Sequence, residues 1–363
     1  MTDVLNKRKD NYSNPSLFLD EQGVGLLDSV NKRFPDIWKN YKTMKKLDWD
    51  ENEFDFSSCA KDFETCDKST YEMMIKTLAF QWEADSIASR ISPIAGCFVT
   101  SSELWAAWQR ISDNETVHGL TYSEIVRGSF KNPRDIISEI LKVEESFSRL
   151  GVVHERLNKI TKAAHLYAAG EIPNDQEMYN HCFMFAVTML ILERIQFMSS
   201  FAVTFAICNT GLFGQIGKAV QKIAQDELEI HCELDKMVIA NELKTERGMI
   251  AFEQCKEEIV EMIEEVRNQE HTWIDYLFSE GRSLVGINED LLKKWSDFNC
   301  GFVVRFLKVD VDFKCPRDNP LKFMNNWLDI SSQQASPQEE PNNQYKVNVI
   351  KRDDAGKTYD LDF

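Results

Sequence analysis

The chain has 363 residues, of which 43% are hydrophobic and 28% are charged, the proportions of an ordinary globular protein. Its formal net charge of −17 argues against direct binding to nucleic acid or to an anionic membrane surface, because both repel an acidic protein. The first residues lack the apolar core of a signal peptide, and the nine cysteines are scattered without a common zinc-binding spacing. These features predict a cytoplasmic protein with reduced thiols.

Glycine and proline are sparse, at 15 and 9 residues, and helical patterns dominate the chain. We predict long helices over residues 68–93, 102–128, 133–169, 176–208, 214–243, 248–280 and 287–307. Short loops join them, so neighbours are expected to run antiparallel in an all-α bundle. We predict a flexible arm over residues 1–15, one helical domain over 16–330 and a disordered tail over 331–363, because the tail is polar and lacks helical periodicity.

The segment SDNETVHGLTY, in the helix predicted after residue 101, contains the first candidate site. Glu115 and His118 are three residues apart and project from one helix face, where a carboxylate and an imidazole can bind one metal ion. This spacing alone is weak evidence for a metal site, since Glu and His three residues apart often occur by chance on a solvent-exposed helix face. Tyr122 follows Glu115 by seven residues and shares its stripe of the helix. Asp85, on the preceding helix, has the weakest local signal as a ligand.

The apolar segment 183–208 contains a second candidate ligand. It is long enough to span a bilayer, but Glu193 and Arg194 at its centre favour a buried core helix. A buried carboxylate is costly unless it is paired or bound to metal. Phe197 and Phe201 follow on the same face, so we predict a metal ligand in a dry pocket. The alternative is a core stripe in which Glu193 bonds to another helix.

A third candidate lies in the segment AQDELEIHCEL, where Glu227 and His231 are four residues apart and share a helix face. Four helices then supply four carboxylates and two imidazoles: Asp85, Glu115, His118, Glu193, Glu227 and His231. This combination favours iron or manganese over calcium. Four carboxylates neutralise two divalent ions, which lowers the cost of burying the charges. The pattern therefore predicts a dimetal site inside a helical bundle.

The chain resembles the small subunit of class I ribonucleotide reductase from about Asp48 to the C-terminus. The resemblance rests on a tyrosine-bearing tail and on the ordered stretches LDWDENEFDF, AFQWEADSI, ETVHGLTY, LERIQFMSSF, IAQDELEIH and NPLKFMNNWL. It implies a ferritin-like fold, a homodimer and a ribonucleoside-diphosphate reductase subunit that is active only with the large catalytic subunit. The implied cofactor is two iron ions, with manganese or a mixed pair as open alternatives.

The resemblance also implies the division of the ligands between two metal ions. Three residues would bind the first ion, namely Asp85, Glu115 and His118. Three would bind the second, namely Glu193, Glu227 and His231, and carboxylates would bridge the two ions. The family usually spaces its last Glu and His by three residues, whereas here the spacing is four. Either the wider pair simply reaches the metal, or a π-bulge absorbs one residue, and we favour the bulge because such bulges are common at functional sites.

The resemblance further implies a radical function. Tyr122 would carry a tyrosyl radical formed after dioxygen activation, in a pocket lined by Phe197, Phe201 and Ile223. The hydrogen-bonded start of the radical route would consist of Trp49, Asp226 and His118. Tyr345, in the tail that docks the large subunit, would pass the radical on, so that ribonucleotides are reduced to deoxyribonucleotides.

Three other functions fit part of the pattern. Another ferritin-like oxygen-activating enzyme would use the same ligands, but it would not need Tyr122 or the tail tyrosine. An iron store gives no reason for the tail, and a purely structural bundle leaves the buried Glu193 unexplained. The small-subunit function accounts for all of these features together.

Overall fold

The computed structural model describes residues 16–20, 26–27 and 29–329, and it is helical throughout this part of the chain. In these residues the extended pairing consists of two isolated bridges, between Phe18 and Val99 and between Leu284 and Ile287. The prediction of an all-α protein is therefore confirmed. The arm predicted over residues 1–15 and the tail predicted over residues 331–363 lie outside the described residues.

The helices follow one another with short connections. Their bounds are α1 Pro35–Lys46, α2 Cys59–Thr65, α3 Lys68–Ile91, α4 Ser102–Ser129, α5 Pro133–Ile140, α6 Glu144–Ala169, α7 Gln176–Ile191, α8 Phe197–Cys208, α9 Gly214–Asp226, α10 Cys232–Glu242, α11 Glu246–Phe278, α12 Glu289–Leu307 and α13 Met324–Leu328. Two π-helical turns, Leu192–Gln196 and Glu227–His231, join α7 to α8 and α9 to α10. Short 3₁₀ turns lie at Glu51–Glu53, Phe56–Ser58, Ser92–Cys97 and Ser279–Gly281.

Side-chain caps explain why several long helices begin where they do. The Asp67 carboxylate accepts a hydrogen bond of 3.0 Å from the amide of Thr70 at the start of α3. Asn288 caps α12 in the same way, through the amide of Leu291 at 2.9 Å. These bonds satisfy amides that have no partner within the helix. The starts of these helices are thus encoded locally.

The segment from α7 through α8 forms the centre of the bundle. Among the described residues, this is the one helical segment that is long and apolar enough to span a membrane. However, 94% of its most apolar stretch is buried within the protein. α7 packs against α6, α10 and α11, and α8 packs against α3, α9 and α12. The apolar surface of the segment is therefore covered by other helices, as we predicted for a core helix.

Two parts of the helix prediction were wrong. The helix predicted over residues 133–169 is interrupted between Ile140 and Glu144. No glycine or proline lies at this break; instead Ile140 and Val143 are both buried, so tertiary packing turns the chain. Helices α1, α2 and α13 were not predicted, and α1 packs against α4 and α10 through buried Ile37 and Met44.

Candidate metal centre

Four elements of the bundle bring the six predicted ligands together. Asp85 lies on α3, and both Glu115 and His118 lie on α4. The two π turns supply the other three, Glu193 from the first and Glu227 with His231 from the second. All six side chains are buried, with at most 1% of their surface exposed. Six polar groups without access to water require partners within the site.

The donor atoms fall into two overlapping groups, and within each group they lie within 4.8 Å of one another. The first group comprises Asp85, Glu115, His118 and Glu227, and the second comprises Glu115, Glu193, Glu227 and His231. Glu115 and Glu227 belong to both groups. Asp85 and His118 would hold a cation in the first group, Glu193 and His231 would hold one in the second, and Glu115 and Glu227 could contribute to either.

The carboxylate oxygens supply the test of whether this site fits metal ions. Among the described residues, both oxygens of Asp85 and of Glu193 have no hydrogen-bond partner of ordinary geometry, and the Glu115 oxygens contact only the two histidine rings, at 3.2 and 3.3 Å. Burial raises the pKa of Asp85, and the neighbouring Glu115 raises it further. Burial likewise raises the pKa of Glu193, and Glu227 adds to the effect. Buried, unpartnered and mutually repelling carboxylates fit two divalent cations, which satisfy the oxygens and neutralise the charge.

Both histidines turn the same ring atom toward the carboxylates. His118 Nδ1 lies 3.0 Å from Glu227 Oε1 and 3.3 Å from Glu115 Oε2. His231 Nδ1 lies 2.9 Å from Glu227 Oε2 and 3.2 Å from Glu115 Oε1. Burial lowers the pKa of His231, yet Glu227 and Glu115 raise it to about 10. Protons and metal ions therefore compete for the same atom, and metal binding releases protons.

The opposite ring nitrogens are held by two residues outside the ligand set. His118 Nε2 lies 3.2 Å from Asp226 Oδ2, and His231 Nε2 lies 2.9 Å from Asn114 Oδ1. Asn114 Nδ2 also donates to Asp226 Oδ2 at 3.1 Å. Because each Nε2–H donates outward, each Nδ1 presents its lone pair to the metal side. Asn114 was missed from the sequence, where its only signal is its position directly before Glu115.

The π turn at Glu227–His231 resolves the unusual spacing of this pair. A π turn holds one residue more than an α turn, so it absorbs the additional residue and both flanking helices continue. The prediction of a π-bulge at this pair is confirmed. The second π turn, Leu192–Gln196 around Glu193, was not predicted.

A buried ion pair supports the π turn around Glu193. The guanidinium of Arg149 pairs with Glu270, and both side chains are fully buried. The same guanidinium donates to the backbone carbonyl of Gln196, and Gln196 Nε2 donates back to the Arg149 carbonyl at 2.6 Å. Helix irregularities leave backbone carbonyls that need other donors, and Arg149 supplies one. Sequence reasoning missed this pair because its two members are 121 residues apart.

The residues predicted to begin the radical route form a continuous chain of contacts. Trp49 Nε1 donates to Asp226 Oδ2 at 2.7 Å, and the same oxygen contacts His118 as described above. The Trp49 ring also stacks on the His118 ring, with centroids 5.8 Å apart and planes at 23°. Trp49 is 6% exposed and lines a surface cavity of about 220 Å³ together with Lys222 and Gln225. This chain of contacts therefore connects the site with the protein surface.

Tyr122 lies beside the first ligand group and is 1% exposed. Burial raises the pKa of Tyr122 well above its ordinary value, and the carboxylates of Asp85 and Glu227 raise it further. The phenol is therefore neutral. Within the described residues, its hydroxyl has no hydrogen-bond partner of ordinary geometry.

The three predicted pocket residues, Phe197, Phe201 and Ile223, are fully buried. The rings of Phe197 and Phe201 stack with centroids 5.6 Å apart. That these side chains line the Tyr122 pocket stays a prediction. Tyr345 lies outside the described residues.

Asp235 is another residue that sequence reasoning missed. It follows His231 by one turn on α10 and is 2% exposed. Burial raises the pKa of Asp235, although the nearby His231 and a hydrogen bond with Trp108 lower it. Its four-residue spacing from His231 is the one sequence feature that indicates a position on the same helix face as that histidine.

Comparison with known proteins decides the family. The model of the family "Ribonucleotide reductase, small chain" matches residues 29–320. The chain belongs to this family. The ribonucleoside-diphosphate reductase subunit beta of Buchnera aphidicola from Schizaphis graminum is 24% identical over 365 residues, covering 96% of this chain and 95% of its own. The subunit beta of ribonucleoside-diphosphate reductase 1 from Salmonella typhimurium is 25% identical over 360 residues, covering 94% of each chain.

Solved structures share the fold. The ribonucleotide reductase R2 subunit from Clostridium botulinum superposes with a TM-score of 0.78 at 17% identity, covering 91% of this chain and 98% of its own. The dimanganese(II)-NrdF of Streptococcus sanguinis superposes with a TM-score of 0.60 at 14% identity, covering 81% and 95%. The prediction of a ferritin-like bundle is thereby confirmed. The chain is the small subunit of a ribonucleoside-diphosphate reductase, which excludes the iron store and the purely structural bundle.

Proposed function

We propose that this subunit generates a radical on Tyr122 and passes it to the large subunit, which uses it to reduce ribonucleotides to deoxyribonucleotides. The observation that carries the proposal is the buried phenol of Tyr122 beside the carboxylates of Asp85, Glu115 and Glu227. When bound, a pair of redox-active metal ions oxidised by dioxygen would supply the oxidising power and accept one electron. Tyr122 gives up that electron together with its phenolic proton.

The protein contributes shielding and placement to this chemistry. Asp85 is the charged group that acts most strongly on the phenol, and we propose that it receives the phenolic proton. The burial of Tyr122 keeps water and reductants away from the oxidised ring, which prolongs the lifetime of the radical. Iron is the proposed metal, and manganese or a mixed pair is the alternative, since the donor set suits both elements. Metal analysis with an electron paramagnetic resonance spectrum after aerobic loading tests the proposal.

We expect two metal ions per wild-type chain, and we expect Glu193→Ala to lose at least one of them. Both oxygens of Glu193 are buried without another partner, so the metal loses a ligand while no hydrogen bond within the protein is broken. The variant should remain helical by circular dichroism, because removing an unpartnered buried carboxylate relieves a desolvation cost. Metal content per chain after reconstitution and gel filtration is the measurement.

Glu242→Ala is the matched control for this experiment. Glu242 is a buried carboxyl, 2% exposed, whose pKa burial raises to about 8, but it lies outside both donor groups. It should keep two metal ions. Equal metal content in the wild type and in Glu193→Ala would contradict the assignment of this ligand.

We further propose that the subunit forms a homodimer through an apolar surface on α3, α5 and α6. Leu141 and Phe147 are 59% and 50% exposed there, and with Trp82 and Ile137 they line a cavity of about 250 Å³. The Glu83 carboxylate on the same surface has both oxygens shielded, and burial raises its pKa to about 8. An exposed apolar surface of this kind marks an interface between proteins, and a second copy would cover it with the same residues.

Phe147→Asp should shift the subunit toward the monomer, because a charge in an apolar interface is costly to desolvate. Sedimentation velocity at micromolar concentration measures the change. Met249→Asp, at a residue that is also 50% exposed but lies on α11, should remain dimeric. A monomeric wild type would refute the homodimer, and a dimeric Phe147→Asp would place the interface elsewhere.

Docking of the large subunit by the tail is a proposal that rests on the sequence, because the tail lies outside the described residues. The last residues, TYDLDF, combine apolar and acidic side chains, which suits a docking peptide. Truncation before Thr358 should abolish turnover of the mixed subunits and leave the Tyr122 radical yield unchanged. Tyr345→Phe should still bind the large subunit but should not support turnover, because phenylalanine is much harder to oxidise. Normal turnover of this variant would point to Tyr359 as the relay.

A further inference from the structure

A third cavity, of about 460 Å³, lies against both π turns and is lined by residues outside the candidate ligand set. From the π turns come Arg194 and Leu228, which directly follow the ligands Glu193 and Glu227 in the chain. α12 contributes Phe302 and Phe306 as aromatic walls. The volume is in the range of small-molecule sites. The radical function proposed above uses none of these side chains.

One donor of the Arg194 guanidinium lacks a partner, although most of the side chain is enclosed. Its Nη1 is shielded from solvent, and among the described residues it has no hydrogen-bond acceptor. The guanidinium carbon lies 4.1 Å from the centre of the Phe302 ring, which holds the group in place without satisfying its N–H donors. A buried guanidinium with an unused donor is costly in an empty site. An acceptor from a ligand would remove that cost.

The charges around the cavity favour an anionic ligand. A second guanidinium, that of Arg305, lies 5.1 Å from the same Phe302 ring and is a charged neighbour of Arg194. Glu233 also lines the cavity, but Lys236 pairs with it. Glu229 is exposed at the cavity, so water screens its charge more than that of the enclosed Arg194. The lining thus carries three cationic side chains, Arg194, Lys236 and Arg305, against the two carboxylates of Glu229 and Glu233, a net charge of +1.

We propose that this cavity binds a small organic anion in which a carboxylate or phosphate is joined to an apolar group the size of an aromatic ring. Arg194 binds the anionic head, because a guanidinium presents paired donors that match a carboxylate or a phosphate. Phe306 and the aliphatic residues Leu190 and Leu228 contact the apolar part. Arg305 strengthens the attraction for the anion from the exposed side.

The binding test uses the metal-loaded full chain and three probes that share one ring. 4-Fluorobenzoate is the anionic probe, phenyl phosphate is its competitor, and 4-fluorobenzamide is the neutral control of the same shape. Fluorine NMR of the ligand signal measures binding over the millimolar range. We expect 4-fluorobenzoate to bind, phenyl phosphate to displace it, and 4-fluorobenzamide to bind at least about tenfold more weakly, because it lacks the charge that Arg194 recognises.

Variants then locate the site. Arg194→Met, which keeps the length and the apolar stem, should weaken 4-fluorobenzoate binding at least about tenfold. Arg134→Met, at an exposed arginine on α5 that does not line the cavity, should leave binding unchanged. If Arg194→Met does not fold by circular dichroism, Arg194→Lys decides the question. It keeps the charge but loses the paired donors, so binding should weaken.

Three results would overturn the proposal. The first is that neither anion binds the wild type. The second is that 4-fluorobenzamide binds as well as 4-fluorobenzoate, which would show that the cavity does not select charge. The third is that a folded Arg194 variant binds 4-fluorobenzoate like the wild type, which would place the anion elsewhere, for example on the metal ions.

Discussion

Replacing Tyr122 with phenylalanine is expected to abolish the tyrosyl signal completely while both metal ions stay bound. The substitution removes one oxygen atom, and that oxygen has no hydrogen-bond partner of ordinary geometry among the described residues, so packing and ligand positions are preserved. Phenylalanine is much harder to oxidise than tyrosine, so no stable radical should form at this position. Electron paramagnetic resonance after aerobic metal loading, with metal analysis of the same sample, measures both quantities.

Tyr179→Phe provides the control for this experiment. Tyr179 is also a buried tyrosine, 3% exposed, but it lies on α7 and packs against Phe18 rather than against the ligands. Its variant should retain the full signal. A tyrosyl signal of unchanged shape and yield in Tyr122→Phe would move the radical to another residue. Loss of the signal together with the metal ions would show a structural effect instead.

Replacing Trp49 with phenylalanine should lower turnover of the mixed subunits by at least about 100-fold, with an unchanged Tyr122 radical yield. The indole Nε1 donates to Asp226 Oδ2 at 2.7 Å, and this oxygen connects Trp49 with His118 of the candidate metal centre. Phenylalanine keeps an aromatic ring over His118 but removes the hydrogen bond and the easily oxidised indole. The connection from the site to the surface is thereby broken, whereas Tyr122 and the donor groups are untouched.

The Trp49 experiment must separate radical transfer from docking, because Trp49 lines a surface cavity. Turnover is therefore measured over a range of large-subunit concentrations. A lost transfer step lowers the maximal rate, whereas lost docking raises the concentration needed to reach it. Trp38→Phe, on the neighbouring α1, should behave like the wild type. Normal maximal turnover by Trp49→Phe would exclude it from the route.

The cluster of ligands also predicts how metal loading depends on pH. His231 has its pKa raised to about 10 by Glu227 and Glu115, and burial together with neighbouring carboxylates raises the pKa of Asp85 and Glu193. Protons therefore compete with metal ions for these ligand atoms. The affinity for metal should rise with pH across the neutral range, since each ligand must be deprotonated to bind.

Much of the fold, and which side chains gather at the candidate metal centre, could be predicted from the sequence alone, because both depend on local patterns. Capping residues such as Asp67 and Asn288 mark helix starts within a few residues of the bonds they make. Residues three or four apart share a helix face, which pairs Glu115 with His118 and Glu227 with His231. The π turn at the second pair was predicted by comparing its four-residue spacing with the three-residue spacing of the family that the chain resembles. A charge inside an apolar segment identified Glu193 in the same way.

Only the tertiary structure decided how these local faces combine. Asn114 orients His231, which lies 117 residues away in the sequence, and Asp226 orients His118, which lies 108 residues away. Arg149 pairs with Glu270, 121 residues away. The break between α5 and α6 is another example, since buried Ile140 and Val143 turn the chain where no glycine or proline lies. Periodicity specifies which side of a helix is buried, but it carries no information about which distant side chain meets it. Those partners are set by packing, because close-packed interiors accept few arrangements of neighbouring helices.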